Sequence, residues 1–341
     1  MTQEMWIGLA TVLLAGAFQG SFLLPSKWVK GWEWENYWLP FAATAYLIAP
    51  WALALATIPD LASVYRGAPT SAMVWVVIFG VGWGIGAVTF GLGVDAIGLA
   101  LGFAVILGVA ATSGTLVPLL LMPPSRFSSL QGAVTAASLA TMLVGVAVCS
   151  FAGRWREAEG DGEGAGTGRR SYRLGLLICV ASGLLSSCGN LGFAWGEPIY
   201  GRAVSQGVAA HVAPNALWPI LTVPLFLCNA GFAARMLWRK GTVARYRSSR
   251  TGINIFWSLV MGLLWMAGMG LYGAGANRLG ELGKSLGWSI LMSSMVLVAN
   301  ALGVLSGEWR GAPRASRRQL TLGILILLAA IAGLGYANSL A

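Results

Sequence analysis

Charged side chains are the scarcest feature of this sequence. Asp, Glu, Lys and Arg make up 10% of its 341 residues, whereas 57% of the residues are hydrophobic. A soluble domain carries roughly 25% charged residues, because its surface must face water. So few charges exclude an ordinary soluble protein. The apolar residues also fall in runs of bilayer-spanning length, and not at the period of an amphipathic helix.

Reactive groups are scarce as well. The chain has one histidine, His211, which excludes a multi-histidine metal site. The sequence also lacks a glycine-rich phosphate-binding loop and a nucleophile elbow, so we expect no enzyme, no ATP-driven pump and no cofactor. The four cysteines lie inside apolar runs without a CxxC pair, which predicts small core residues and neither a disulfide nor a metal site; they are Cys149, Cys179, Cys188 and Cys228.

Ten apolar segments are long enough to cross a membrane. They cover residues 5–24, 38–58, 72–93, 97–121, 131–152, 174–195, 213–236, 255–275, 286–305 and 320–338. Each is near the ~20 residues that a helix needs to cross the hydrocarbon core. Because lipid cannot satisfy backbone polar groups, each segment must be helical. The sequence therefore predicts an all-α membrane protein with ten transmembrane helices.

The basic residues are distributed unevenly between the connections. Of 22 Lys and Arg residues, 17 fall in connections on one predicted side and five on the other. Basic connections stay in the cytoplasm, so we expect both termini to be periplasmic in a multi-pass protein of the bacterial inner membrane. This asymmetry also accounts for the net charge of +10 without a nucleic-acid partner. The expected surroundings are the lipid bilayer.

The third and eighth predicted spans repeat one pattern at a constant offset of 182 residues. The third holds Gly80, Trp83, Gly86, Phe90, Gly91, Gly93, Asp95 and Gly98, and the eighth holds Gly262, Trp265, Gly268, Tyr272, Gly273, Gly275, Asn277 and Gly280. The predicted organisation is a five-helix repeat over 1–152, a cytoplasmic linker over 153–173 and a second five-helix repeat over 174–341. With five spans in each half, the second half must be inverted, as is common in secondary transporters.

Three further stretches are distinctive in sequence. They read PSKWVKGWEWE over residues 25–35, FGVGWGIG over 79–86 and GEWR over 307–310. Through them, and over most of its length, the chain resembles the L-rhamnose–proton symporter family of the drug/metabolite transporter superfamily. The resemblance implies ten helices in two inverted halves and inward movement of a deoxyhexose coupled to protons. In that family a carboxylate is expected near the start of the ninth span, where this chain has Lys284.

Aromatic and polar side chains within the spans are the candidate sugar ligands. Trp83 and Trp265 are equivalent in the repeat and could flank a sugar ring, stacking on its C–H faces. Phe90 and Tyr272 lie two helical turns further along the same faces. The polar candidates are costly to leave facing lipid, and they are Gln19, Asn190, Trp288, Ser289 and Ser293. Each could alternatively serve only to pack or hydrogen-bond helices together.

Proton coupling requires a group that changes charge, and no Asp or Glu lies deep in a predicted span. The candidates near predicted span ends are Glu35, Glu197, His211, Lys27 and Lys284. Glu35 and Lys27 lie in a stretch that carries the family resemblance, and the ordinary pKa of histidine suits a proton relay. Solvated loop ends and membrane-interface anchors remain the alternative role for these charges.

These observations predict a secondary transporter that imports L-rhamnose or a related 6-deoxyhexose by proton symport with alternating access. The alternative is a carrier of the same superfamily for another small metabolite or a cationic drug, uncoupled or coupled differently. Cation–proton exchangers of that kind hold a carboxylate in the first span, where this chain has Gln19. The sequence leaves the oligomeric state open.

Overall fold

The computed structural model of the chain describes residues 2–97, 99–120, 129–158, 169–280, 283–307 and 309–340. Over these ranges the chain is helical and contains no β-strand. Nine helical segments within them are long and apolar enough to cross a membrane, and a tenth apolar helix, over Val105–Leu120, is shorter. The prediction of an all-α membrane protein is thus confirmed.

The ten spans follow one another in the predicted order. They are Gln3–Ser21, Trp34–Thr57, Thr70–Ile97, Leu99–Leu120, Leu130–Ala158, Arg169–Ser186 continued by Cys188–Trp195, Trp218–Lys240, Thr251–Arg278, Gly283–Leu305 and Arg314–Ser339. The fifth and sixth spans extend into the predicted linker over 153–173, of which residues 159–168 lie outside the described residues. Short helices at Leu61–Gly67 and Glu197–Ser205 join consecutive spans.

Both chain termini lie at one end of the bundle, which we call the terminal end. Glu4 forms an ion pair with Arg278 at the end of the eighth span, with 3.7 Å between Oε2 and Nη1. Near the other terminus, Asn338 donates a 3.2 Å hydrogen bond to the carbonyl of Leu279. We call the other face of the bundle the opposite end.

A π-helical turn interrupts the second span near its middle. Pro40 and Pro50 cannot donate backbone hydrogen bonds, and the six residues Ala43–Ile48 between them form a π-helical turn. The hydroxyl of Thr44 donates a 3.0 Å hydrogen bond to the carbonyl of Pro40. The turn carries Tyr46 onto Trp265 of the eighth span, with 4.7 Å between ring centroids.

Glycines set how closely the long spans pack. A methyl group at Gly86 of the third span would lie 2.7 Å from the backbone nitrogen of Ser186 in the sixth. A methyl group at the repeat-equivalent Gly268 would lie 2.7 Å from Nε2 of Gln19 in the first span. Small residues at such crossings allow helices to pack backbone against backbone in lipid.

A polar cluster joins the second and seventh spans at the opposite end. The carboxylate of Glu35, with 0% of the residue exposed, accepts hydrogen bonds from Lys240 Nζ at 3.0 Å and Thr242 Oγ1 at 2.8 Å. Asn36 donates to the carbonyl of Thr242 at 3.0 Å, and Tyr246 Oη donates to the carbonyl of Asn36 at 2.8 Å. Glu35 is therefore a buried, paired carboxylate, and the alternative role of a solvated charge at a loop end does not apply to it.

Replacing Glu35 by Ala should lower the Tm of the detergent-purified protein by several degrees. A buried charge-assisted hydrogen bond contributes about 2 kcal/mol, and the Thr242 hydroxyl would lose its partner. Glu4→Ala is the matched control, because Glu4 is 67% exposed and surface ion pairs contribute little. A thermal-unfolding assay followed by tryptophan fluorescence measures both. Equal Tm values for the two variants would contradict a stabilising role for Glu35.

Candidate functional site

Two tryptophans meet near the middle of the bundle. The rings of Trp83 and Trp265 have centroids 5.6 Å apart and planes inclined by 37°. Trp83 lies against the sixth span at Gly189, where a methyl group would come within 2.8 Å of its ring. The two tryptophans that match in the sequence repeat thus lie side by side. Because they contact each other, however, they leave no room in this conformation for a sugar ring between them.

Gln19 attaches the first span to the eighth beside this pair. Its Nε2 donates a 2.7 Å hydrogen bond to the backbone carbonyl of Trp265, and the residue is 5% exposed. Gly268 has no side chain to displace it. A fixed amide beside an aromatic ring combines hydrogen-bonding capacity with an apolar face, which is the chemistry that a sugar requires.

Asn190 is the most highly connected polar side chain of the candidate site. Its Nδ2 donates to the carbonyls of Gly114 at 2.8 Å and Lys284 at 2.7 Å. Its Oδ1 accepts a short hydrogen bond from the hydroxyl of Tyr272. Asn190 and Tyr272 are both completely buried. One amide therefore joins the fourth, sixth, eighth and ninth spans.

Side chains of the ninth span continue this layer. Trp288 Nε1 donates to the carbonyl of Ala110 at 3.2 Å, and the Trp288 ring packs edge-on against Tyr272 at 5.6 Å. The hydroxyls of Ser289 and Thr115 share a short hydrogen bond between the ninth and fourth spans. These contacts attach the ninth span to the fourth. The indole nitrogen of Trp288 and the hydroxyl of Ser289 thus both have protein partners in this conformation.

Ser293 differs from its neighbours, because its hydroxyl is buried and has no hydrogen-bond partner in the described part of the chain. An unpaired buried hydroxyl is destabilising unless a ligand or water bonds to it. Among the polar residues predicted for sugar binding, Ser293 therefore has an open hydrogen-bonding position.

The sequence did not identify an aromatic cluster beside Tyr272. Phe193 packs on Tyr272 at 5.2 Å, on Tyr200 at 5.6 Å and on Trp218 at 5.8 Å between ring centroids. Tyr200 Oη and Trp218 Nε1 are buried without a partner among the described residues. In the sequence, the only hint of this cluster is the Trp-Pro pair that begins the seventh span, and this pair lies outside the repeated pattern of the third and eighth spans. Phe90 lies apart from this cluster and is half-buried.

The charged candidates are divided between the two ends. At the terminal end, Glu197 and Lys284 form an ion pair, with side chains 57% and 23% exposed, and half-buried His211 lies in the connection that follows. At the opposite end, Lys27 donates a 2.9 Å hydrogen bond to Ser306, while Glu35 lies in the cluster described above. Over the described residues, no group of three or more His, Cys, Asp or Glu side chains could hold a metal ion.

Comparison with known proteins gives matches over the entire length. The family model described as "L-rhamnose-proton symport protein" matches residues 1–338. Relatives named L-rhamnose-proton symporter include that of Klebsiella pneumoniae (strain 342), 27% identical, covering 99% of this chain and 100% of the relative. That of Cronobacter sakazakii is 27% identical with the same coverage, and that of Salmonella gallinarum is 28% identical over 98% and 99%.

A solved crystal structure shares the fold, with a TM-score of 0.54 and 16% identity over 99% of this chain and 96% of the other. The family and the named relatives are transporters, in agreement with the absence of catalytic motifs from the sequence. Together with the nine long apolar helices found among the described residues, they identify a multi-pass protein of the bacterial inner membrane. The chain belongs to the L-rhamnose-proton symport protein family.

Proposed function

We propose that the chain imports L-rhamnose, or a related 6-deoxyhexose, together with protons by alternating access. The observation that carries the proposal is the buried layer of Asn190, Tyr272, Trp288 and Ser293 within a chain that matches a sugar–proton symporter family along its length. Its aromatic faces suit the C–H surface of a deoxysugar, and its amide and hydroxyls suit the sugar hydroxyls. Trp83, Trp265 and Gln19 would bound the same site towards the centre of the bundle.

The helix contacts support two inverted repeats over 1–152 and 174–341. The first span packs on the eighth and ninth, and its counterpart, the sixth, packs on the third and fourth. Individual glycines follow the same relation. Gly8 of the first span lies next to Arg278, and its counterpart Gly175 lies next to Ala96. Further along the same two spans, Gly16 lies next to Ser294, and its counterpart Gly183 lies next to Val109. Contacts that recur in this way support a pseudo-twofold relation between the halves. With 17 basic residues towards the opposite end, that end would be cytoplasmic and both termini periplasmic.

We group eight of the spans into two bundles, which are joined where the second span packs on the seventh and the fourth packs on the ninth. The first bundle contains spans one, two, eight and nine, the second contains spans three, four, six and seven, and the fifth and tenth spans pack on each other. The bundles are joined at both ends. At the opposite end Glu35 of the second span pairs with Lys240 of the seventh, and at the terminal end Asn215, just before the seventh span, bonds through Nδ2 to Thr57 Oγ1 of the second at 3.2 Å. We infer that the bundles move relative to each other about this interface.

Equivalent positions in the two repeats have different surroundings. At the terminal end, a methyl group at Gly273 would lie 3.0 Å from Pro214 and 3.1 Å from Trp218. At the opposite end, a methyl group at the equivalent Gly91 would have no described atom within 4 Å. Tyr272 is likewise completely buried, whereas the equivalent Phe90 is half-buried. This difference supports an inward-facing state, closed at the terminal end and open at the opposite end.

The Glu197–Lys284 ion pair is our candidate for the proton-sensitive contact. Glu197 lies in the short helix after the sixth span, and Lys284 lies at the start of the ninth span, so the ion pair connects these two elements. The backbone carbonyl of Lys284 also accepts a hydrogen bond from Asn190. Loss of this ion pair would weaken the closure between these spans and favour the state that opens to the periplasm.

Uptake in liposomes tests the proposed function. The purified protein should accumulate labelled L-rhamnose when an inward proton gradient is imposed, and an uncoupler should abolish the accumulation. Glu197→Gln should retain sugar exchange at equal concentrations but lose most of the response to the gradient, whereas Glu33→Gln at the opposite end should retain both. Absence of L-rhamnose uptake or binding under every gradient would exclude the proposal.

Trp83→Ala should weaken L-rhamnose binding about fivefold, because a lost aromatic stacking contact corresponds to about 1 kcal/mol. The Tm should change little, since Trp83 is only partly buried. Trp75→Ala is the matched control in the same span, because Trp75 is 48% exposed. Isothermal titration calorimetry measures the affinity. Equal losses of affinity and Tm in Trp83→Ala would instead assign the ring a packing role.

Thiol labelling tests the inward-facing state. In a variant whose four natural cysteines are replaced, Gly91→Cys should react with a membrane-impermeant maleimide, and the equivalent Gly273→Cys should be protected. Labelling should occur from the cytoplasmic side of inverted vesicles and not from the periplasmic side of intact cells. Protection of Gly91→Cys together with labelling of Gly273→Cys would indicate the outward-facing state and contradict the assignment.

A further inference from the structure

A cavity of about 330 Å³ opens at the opposite end of the bundle, between the ninth and tenth spans. Its lining consists of Val304, Trp309, Arg310, Arg317, Leu320 and Thr321. It lies away from the buried layer around Asn190, and no step of the proposed transport cycle uses it. Its walls combine two cationic side chains with apolar ones.

The cationic wall is available to an anion. Arg310 and Arg317 are exposed, and neither forms an ion pair with a carboxylate in the described part of the chain. Arg317 lies in the first turn of the tenth span, which begins at Arg314, where the helix dipole adds positive potential. Guanidinium groups bind phosphate oxygens through paired charge-assisted hydrogen bonds. The wall therefore suits a phosphate group.

The apolar wall distinguishes a lipid from a soluble anion. Leu320 and Trp309 form the inner surface and are 3% and 6% exposed, whereas Val304 is 47% exposed. Next to Val304, the side chain of Leu305 is 79% exposed on the same span, as expected for a residue that faces acyl chains. A free phosphate ion would gain nothing from these surfaces, whereas an acyl chain could extend along them.

We propose that this cavity binds an anionic phospholipid of the cytoplasmic leaflet, such as phosphatidylglycerol or cardiolipin. The phosphate contacts Arg310 and Arg317, and the glycerol and first acyl carbons contact Val304 and Leu320. Basic pockets between helices on the cytoplasmic side are suited to such headgroups, because the leaflet carries a negative surface potential. The bound lipid braces the base of the ninth span against the tenth.

Native mass spectrometry of the full chain tests the proposal. The detergent-purified protein is titrated with phosphatidylglycerol, cardiolipin or phosphatidylcholine. The anionic lipids should bind about tenfold more tightly than phosphatidylcholine, and Arg310→Gln combined with Arg317→Gln should remove this preference. The matched control is Arg247→Gln combined with Arg250→Gln, exposed residues at the same end outside the cavity, which should retain the preference.

Two further measurements determine the source of the phosphate. Inorganic phosphate at millimolar concentration should neither displace the lipid nor raise the Tm, and equal protection by inorganic phosphate would overturn the assignment to a lipid. Val304→Glu places a negative charge on the exposed wall and should also abolish the preference while the protein remains folded. Retention of the preference in the double arginine variant, or its equal loss in the control, would overturn the proposal.

Discussion

The hydrogen-bonding requirement of one buried amide determines how the spans meet at the terminal end. Within a membrane, an unsatisfied polar group has no water to bond to, so the three partners of Asn190 must be held in place. Two of them are backbone carbonyls, of Gly114 and Lys284, and the third is the hydroxyl of Tyr272. In the proposed cycle, opening this end would require four spans to exchange these partners together. A sugar with several hydroxyl groups would replace such partners, which would link closure of the carrier to sugar binding.

Close packing between the spans makes this arrangement possible. Gly114 allows the Trp288 ring to approach the fourth span, since a methyl group there would lie 2.7 Å from the ring. The ninth span is buried continuously from Ser285 to Ser294, whereas its far half includes exposed Val304 and Leu305. Its two halves therefore meet different surroundings, protein at the terminal end and lipid or solvent at the other. In the proposed cycle, the equivalent fourth span would become enclosed at the opposite end when the carrier faces outward.

The spans could be predicted well from the sequence, because hydropathy and length depend on composition alone. The sequence pattern singled out Trp83 and Trp265 as a pair, but their direct contact could not be predicted from it. The bonds of Asn190 could not be predicted, because they go to carbonyls whose positions depend on how other helices approach. Glu35 was a candidate from its place in the family stretch, but its pairing with Lys240 depends on contact between residues 205 positions apart. The cluster of Phe193 and Trp218 could not be predicted, because aromatic residues are common in an apolar chain and their presence alone does not indicate a binding site.

In the proposed inward-facing state, the Asn190 layer holds the terminal end closed. Distances between spin labels at Glu4→Cys in the first bundle and Ala209→Cys in the second measure this closure directly, because both positions are exposed. We expect one short distance in the otherwise unmodified protein and a second, longer population when Asn190 is replaced by Ala. A single short distance in both proteins would show that the layer does not hold this end closed.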